Sequence, residues 1–246
     1  STLNILRGDS DAGVTNEYLA KSTTRSQGAL VLLRLRGLES TALSFSGTST
    51  FSDASDATTF WQPMLAYLKA NPNAGFSGYP DGTFLPNRIM TAQELYKVLL
   101  VALGYEENVD FTWNEVFDFA EEVGLNQLQG KGNITNNDLA VGMVEALEAP
   151  KKDGQTLVAF LVQENVITAN RAQQAGFNVI DTLEYDSEYT AIVGQSANLP
   201  TSLTAILADG TETTVTVTWS NVSTSSVGTR TITGNVPGFG TFTTTL

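Results

Sequence analysis

The chain contains neither cysteine nor histidine. Disulfides, thiolate nucleophiles, thiolate or imidazole zinc sites and His-based triads are therefore all excluded. Chains without cysteine occur in every redox compartment, so this absence does not place the protein. No apolar run approaches the length of a membrane span. Basic residues are scarce, with 13 Lys and Arg against 26 Asp and Glu and a net charge of −13. That balance argues against binding a phosphate backbone, which needs clustered Lys and Arg, and it suits an extracellular protein; with no long apolar run, no membrane insertion is expected. Lysine disappears altogether after Lys152, and Arg230 is the only cation beyond Arg171. The chain begins at Ser1 with no Met and no basic segment, which reads as a processed N-terminus after signal-peptide removal.

Hydrophobic residues make up 41% of the 246, enough for one large core or two modest ones. The composition changes near residue 178. Beyond it, "TETTVTVTWS" places Val215, Val217 and Trp219 on one face and threonines on the other, the period-two pattern of a half-buried strand. "SLTAIL" followed by "ADGT" predicts a strand and a turn at Gly210, and "GTRTITGNV" and "GTFTTTL" continue the alternation. The expectation is a small β-sandwich over 178–246.

Residues 1–177 read as alternating helices. "TTRSQGALVLLRLRGL", "MTAQELYKVLLVALGY" and "ITNNDLAVGMVEALEA" align as a repeated helix near 23–38, 90–105 and 134–149. Each opens on a threonine suited to N-capping: Thr24, Thr91 and Thr135. Glu94 and Asp138 follow three residues later, as in a capping box. Gly37 and Gly104 stand where a left-handed C-terminal cap belongs. Between these, "TTFWQPMLAYLKAN", "TWNEVFDFAEEVGL" and "DGQTLVAFLVQENVI" predict a second helix type.

The central stretch resembles an S-layer homology repeat: Phe51, Asp53, Trp61, Gly78, Tyr79, Asp81, Gly82, Phe84 and Pro86 match its F-x-D start, Trp-bearing helix and G-Y-x-D-G-x-F-x-P loop. "TTRSQ" resembles the end of a preceding repeat and "ITNND" a degenerate following one. The tail is similar to bacterial immunoglobulin-like modules at Gly194, Leu199, Pro200, Asp209, Gly210, Thr211, Val217, Trp219, Gly228 and Gly234. The fold class expected from both resemblances is multidomain α + β, a helical repeat region followed by an all-β immunoglobulin-like sandwich.

The first resemblance implies three repeats around a pseudo-threefold axis, binding a secondary cell-wall polysaccharide in the grooves between them. It makes Arg25 the main anion contact, with Thr24, Trp61, Asp81 and Gly82 as further candidates. This sequence departs from the pattern, because Ala92 and Asn136 replace arginine at the equivalent positions. Two readings stay open: a secreted bacterial surface protein that polymerises with copies of itself into a lattice or filament, or a module anchored non-covalently to wall polysaccharide. For assembly, the apolar Leu3, Ile5 and Leu6, or Phe242 and Leu246, are candidates for strand exchange with a neighbouring copy. "RGDS" at Arg7–Ser10 reads as a chance match to an adhesion tripeptide. Asp9 and Asp11 are candidate calcium ligands, although no twelve-residue EF-hand loop is present; no other cofactor is expected. Trp61, Trp113 and Trp219 also read as core anchors. Adjacent carboxylates such as Glu121 and Glu122 point apart on a helix, so no catalytic pair and no enzyme activity is expected.

Overall fold

The computed structural model describes residues 2–9 and 11–246. Ser1 and the Ser10 of "RGDS" lie outside the described residues. The chain forms two compact units, Leu3–Lys152 and Asp153–Leu246. The composition shift falls later, near 178. The difference arises because two helices with helix-like sequence pack with the β-rich tail.

The first unit contains α1 (Asn16–Ala20), α2 (Arg25–Leu35), α3 (Glu39–Leu43), α4 (Gln62–Ala70), α5 (Ala92–Ala102), α6 (Val116–Val123) and α7 (Asn136–Glu148). The expected repeat helices are α2, α5 and α7. All three carry complete capping boxes: the hydroxyls of Thr24, Thr91 and Thr135 accept the N–H of Gln27, Glu94 and Asp138, whose side chains return to the cap N–H. Gly37 and Gly104 end α2 and α5 with φ of 68° and 92°, a conformation that costs other residues a Cβ clash.

The helix starts are tied to one another by backbone hydrogen bonds. Thr23 N–H donates to the Ile134 carbonyl at 3.0 Å, Ile134 N–H to Met90 at 3.0 Å, and Met90 N–H to Thr23 at 2.9 Å. These three bonds close a ring. A second ring-like set joins the first residue of each helix to the strand-like approach of the next: Arg25 N–H to Arg88, Ala92 N–H to Gly132, and Asn136 N–H to Lys21, at 3.0, 2.9 and 2.8 Å. Segments far apart in sequence thus meet in an approximately threefold arrangement, and each satisfies donors that a helix N-terminus otherwise leaves unpaired. At its centre α5 packs against α2, α6 and α7. Leu95, Tyr96, Leu99 and Leu100 are buried on it, so it is enclosed on most sides.

The second unit begins with α8 (Leu157–Gln163) and α9 (Ala169–Gln174). Six strands follow: β1 (Ile180–Glu184), β2 (Ser202–Leu207), β3 (Glu212–Thr216), β4 (Thr218–Trp219), β5 (Thr231–Val236) and β6 (Gly240–Thr245). They form two antiparallel three-stranded sheets, ordered β1-β2-β3 and β4-β5-β6. The chain changes sheet at Val217, between β3 and β4. Leu183, Leu203 and Ala205 from one sheet share a core with Val236 and Phe242 from the other, joined by Val217. Val215 and Trp219 pack against this core, so the alternation read in "VTVTW" is the inward face. The buried Gln155 side chain donates to the Phe239 carbonyl, tying the segment before α8 to the β5–β6 turn. No helix among the described residues is long and apolar enough to cross a membrane.

Candidate functional site

The "GYPDGTFLP" loop and the start of α5 build the most developed groove in the helical unit. Asp53, from the F-x-D start, sets the loop: its two carboxylate oxygens accept the N–H groups of Phe84 and Leu85 at 2.8 and 2.7 Å. Leu85 is held at φ 56°, a left-handed conformation that costs a bulky residue about 1–2 kcal/mol, and its side chain stands on the groove wall. The turn itself forms as its residues dictate. Asp81 accepts from the N–H and hydroxyl of Thr83, and Gly82 adopts φ 85°.

Inside the groove the charges are interlocked. Arg25 Nη1 donates to Glu94 Oε1 at 2.7 Å, and its Nε donates to the Phe84 carbonyl at 2.9 Å. The guanidinium carbon lies 5.2, 4.7 and 5.0 Å from the ring centres of Phe76, Tyr79 and Phe84. Burial pushes the Arg25 pKa down, and Glu94 opposes that shift. Arg88 pairs with the same Glu94 oxygen and also donates to the Tyr79 hydroxyl at 2.5 Å. Burial pushes the Tyr79 phenol up, so it stays protonated and donates to Glu94 at 3.1 Å. Lys97 pairs with Glu107 at 3.1 Å and donates to the Gly75 carbonyl at 3.0 Å. Trp113, 42% exposed, forms part of the wall. The groove holds about 590 Å³ and presents three cations against two carboxylates, an excess of positive charge on an acidic chain.

The residues expected to grip a saccharide are distributed differently. Arg25 does reach the groove, but it is only 5% exposed and fully engaged with its own unit. Thr24 acts as the α2 cap. Trp61 packs edge-on against Phe60, and neither it, Asp81 nor Gly82 lines the groove. Ala92 and Asn136, the two positions lacking arginine, are completely buried. Asn136 accepts from the Thr23 hydroxyl at 2.8 Å and donates to the Tyr18 carbonyl at 2.9 Å, so it locks α7 to the first repeat. Sequence reasoning missed Arg88, Lys97 and Trp113. Arg88 was the legible one, three residues ahead of the Thr91 cap and in the same loop.

The assembly candidates are likewise internal. Leu3, Ile5 and Leu6, the candidates for strand exchange with a neighbouring copy, are 6%, 2% and 4% exposed in a series of bends. Asn4 takes φ 58° among them, and Arg34 donates to the Ile5 carbonyl at 2.8 Å, so the segment is a buried turn. Phe242 sits on β6 in the shared core, and Leu246 exchanges backbone bonds with Arg230. Of the candidate calcium ligands, Asp9 is paired with Lys21 and Asp11 is exposed. Among the described residues no group of three or more carboxylates gathers around a common point. Arg7 of "RGDS" is held by both oxygens of Glu39 at 2.9 Å.

A second buried carboxylate, Asp138 on α7, gives the helical unit a defined acid response. Burial raises its pKa, but the Lys131 ammonium and the Thr135 hydroxyl and N–H together outweigh this and hold it below the usual 3.8. A carboxyl depressed on folding contributes stability above its unfolded pKa and loses it as pH falls through the folded one. The melting temperature of the helical unit should therefore hold from pH 7 to about pH 5 and fall below about pH 4, less steeply in Asp138→Asn. Thermal scans at stepped pH check this; equal slopes in both proteins would refute it.

Comparison with known proteins falls on both units. Residues 185–239 match the family model of the bacterial Ig-like domain (group 4). Residues 52–166 match that of the X-prolyl dipeptidyl aminopeptidase PepX N-terminal region. The chain is 28% identical over 183 residues to the middle cell wall protein of Brevibacillus brevis, an alignment covering 67% of this chain and 17% of that protein. It is also 28% identical over 129 residues to the surface layer protein of Brevibacillus choshinensis, covering 52% of this chain and 11% of that protein. The chain thus spans less than a fifth of the length of these relatives.

Proposed function

We propose that this protein is a structural component of a bacterial cell surface, secreted rather than retained, and that it assembles with copies of itself. The reading does not include catalysis. Its support is the state of the three equivalent helix starts. Three capped helices are tied together at their starts, but two of the three positions that follow the capping threonines hold buried Ala92 and Asn136, and Arg25 at the third is consumed by its own ion pair. Similarity to a cell wall protein and a surface layer protein adds to it. With no histidine or cysteine, the stretch resembling a peptidase N-terminal region can form neither a His-based triad nor a thiolate nucleophile.

A second reading, anchoring to wall polysaccharide, is favoured by one observation. Arg88, paired with Glu94 but with 38% of its side chain exposed, and exposed Trp113 both line a groove of positive excess. A guanidinium for a carboxylate and an indole face for a sugar ring are the groups such a ligand needs.

The test pairs electron microscopy of the purified chain with co-sedimentation on Brevibacillus cell-wall sacculi. Ordered arrays or filaments are expected. Single particles at all concentrations, with sedimentation abolished in Arg88→Gln, would overturn assembly and leave anchoring. Arg88 is the residue to vary, because changing buried Arg25, or deleting Leu3–Leu6, would disturb the fold itself.

A further inference from the structure

Among the described residues the second unit has four strand edges, because β2 and β5 lie inside their sheets. An edge strand carries a row of unpaired N–H and C=O groups, and natural proteins blunt it by shortness, charge, proline, a bulge or a covering segment. Three of these four edges are blunted. β1 is bulged between Ile180 and Thr182 and carries the exposed carboxylates of Asp181 and Glu184. β4 is two residues long. β6 is covered near its end: Glu188 bridges to Thr245, Tyr189 N–H donates to the Thr245 carbonyl at 2.9 Å, and the Thr244 hydroxyl donates to the Asp186 carbonyl at 2.8 Å.

β3 has none of these devices. Its pairing with β2 is regular from Glu212 to Thr216, it contains no lysine or proline, and its single charge is on its first residue. Glu212, Thr213, Thr214 and Thr216 are exposed. Two bonds at the ends of the ladder fix the direction of its backbone groups. Val217 N–H donates to the Thr201 carbonyl at 3.0 Å, and the Thr211 carbonyl accepts from Leu207 N–H at 2.9 Å. Both residues therefore face β2. Alternation along an antiparallel ladder makes Thr213 and Val215 do the same and turns the N–H and C=O of Glu212, Thr214 and Thr216 away from it. Threonine and valine favour extended backbone, so this open edge is held ready for another strand.

We propose that the β3 edge pairs with β3 of a second copy, antiparallel and across a twofold axis, joining two sheets in the order β1-β2-β3-β3-β2-β1. The inference rests on the self-assembly reading and names a contact for it. Unlike terminal strand exchange, no segment leaves its own fold.

Register and charge select this occupant. Centring on Thr214 sets Thr214 opposite Thr214 and each Glu212 opposite a Thr216; every such pair exchanges two backbone bonds, about six in all. Thr213 then meets Val215 on the inward face, so the pleat continues across the junction. Centring two residues earlier sets Glu212 against Glu212, and like charges directly opposite are destabilising. Centring two residues later needs Thr218, which belongs to the other sheet. β1 of a neighbour would bring Asp181 and Glu184 to the edge that carries Glu212, and its bulge breaks the register. The β3 pair is isologous, so it closes as a dimer, and extended arrays need a further contact.

The chain has no cysteine, so a single introduced one reports its own contact. Thr214→Cys in the full chain should give a covalent dimer on mild oxidation, because Cα atoms of a hydrogen-bonded facing pair stand about 5.5 Å apart, within disulfide reach. Glu184→Cys, on β1, should not. In sedimentation velocity over a concentration series the wild type should dimerise reversibly. Thr214→Pro removes an outward N–H from each copy and none that β2 uses, so it should weaken dimerisation by about tenfold or more with the melting temperature unchanged. Thr214→Val keeps the N–H and should dimerise as the wild type does. No covalent dimer from Thr214→Cys, equal cross-linking through Glu184→Cys, or wild-type dimerisation of Thr214→Pro would overturn the pairing. If Thr214→Pro lowers the melting temperature, the cysteine results decide alone. Electron microscopy separates the two ideas: arrays that persist in Thr214→Pro leave assembly standing and remove the β3 contact, and a cross-linked dimer without arrays keeps the β3 contact and removes extended assembly.

Discussion

Replacing Glu94 by alanine is expected to destabilise the helical unit by about 3–5 kcal/mol, the cost of stripping the partner from a buried charge. Side-chain exposure is 6% for Arg25 and 10% for Glu94, so solvent cannot replace the lost carboxylate. Glu94 also completes the α5 capping box through Oε2 to Thr91 N–H at 3.0 Å and receives Arg88 and the Tyr79 hydroxyl. One side chain therefore joins the first repeat, the loop and the helix start. The measurement is denaturant unfolding followed by the fluorescence of Trp61 and Trp113. A loss under about 1 kcal/mol, the range of an exposed pair, would show that the Arg25–Glu94 contact carries little. The paired replacement Arg25→Met with Glu94→Leu should recover much of the loss, because an apolar pair of similar volume needs no counter-charge.

The β-rich unit should respond as strongly to Phe242→Ala, at about 3–5 kcal/mol for a buried phenylalanine. Phe242 is opposite Gly234 in the β5–β6 register, and a Cβ on Gly234 would fall 2.4 Å from its ring. The ring thus lies over the glycine and meets Trp219 at 5.4 Å and Tyr185 at 4.3 Å between centres. Gly234→Val should act through the same contact by driving the ring out of the core. The expected result is unfolding of this unit in isolated chains at low concentration, seen as loss of near-ultraviolet circular dichroism. Were Phe242 instead an exchangeable anchor between copies, Phe242→Ala would leave the isolated chain stable and remove assembly alone.

Much of the local structure is legible in the residues. Thr91 with Glu94 announces a capped helix, Gly104 announces its end, and "VTVTW" announces an inward face, because each signal is completed within a few residues of itself. At the N-terminus, Leu3, Ile5 and Leu6 are legible only as apolar side chains; the buried turn they form rests on the left-handed Asn4 and on the bond from Arg34 of α2 to the Ile5 carbonyl, which no local pattern signals. Likewise, the helical pattern of "DGQTLVAFLVQENVI" is correct, but nothing local says that this helix belongs with the sheets, where Gln155 meets Phe239.

The site divides along the same line. By itself the sequence determined that Ala92 and Asn136 lack arginine, that no histidine or cysteine is available for chemistry, and that the "PDG" loop is a turn preceding a capped helix. Only the tertiary structure decided that Arg25 faces inward to Glu94, 69 residues away, and that Arg88 and Lys97 share its groove. Caps and periodicity rest on neighbours in the chain. Ion pairs and grooves rest on the ring of bonds among Thr23, Met90 and Ile134, which brings together segments whose separation in sequence carries no record of their contact.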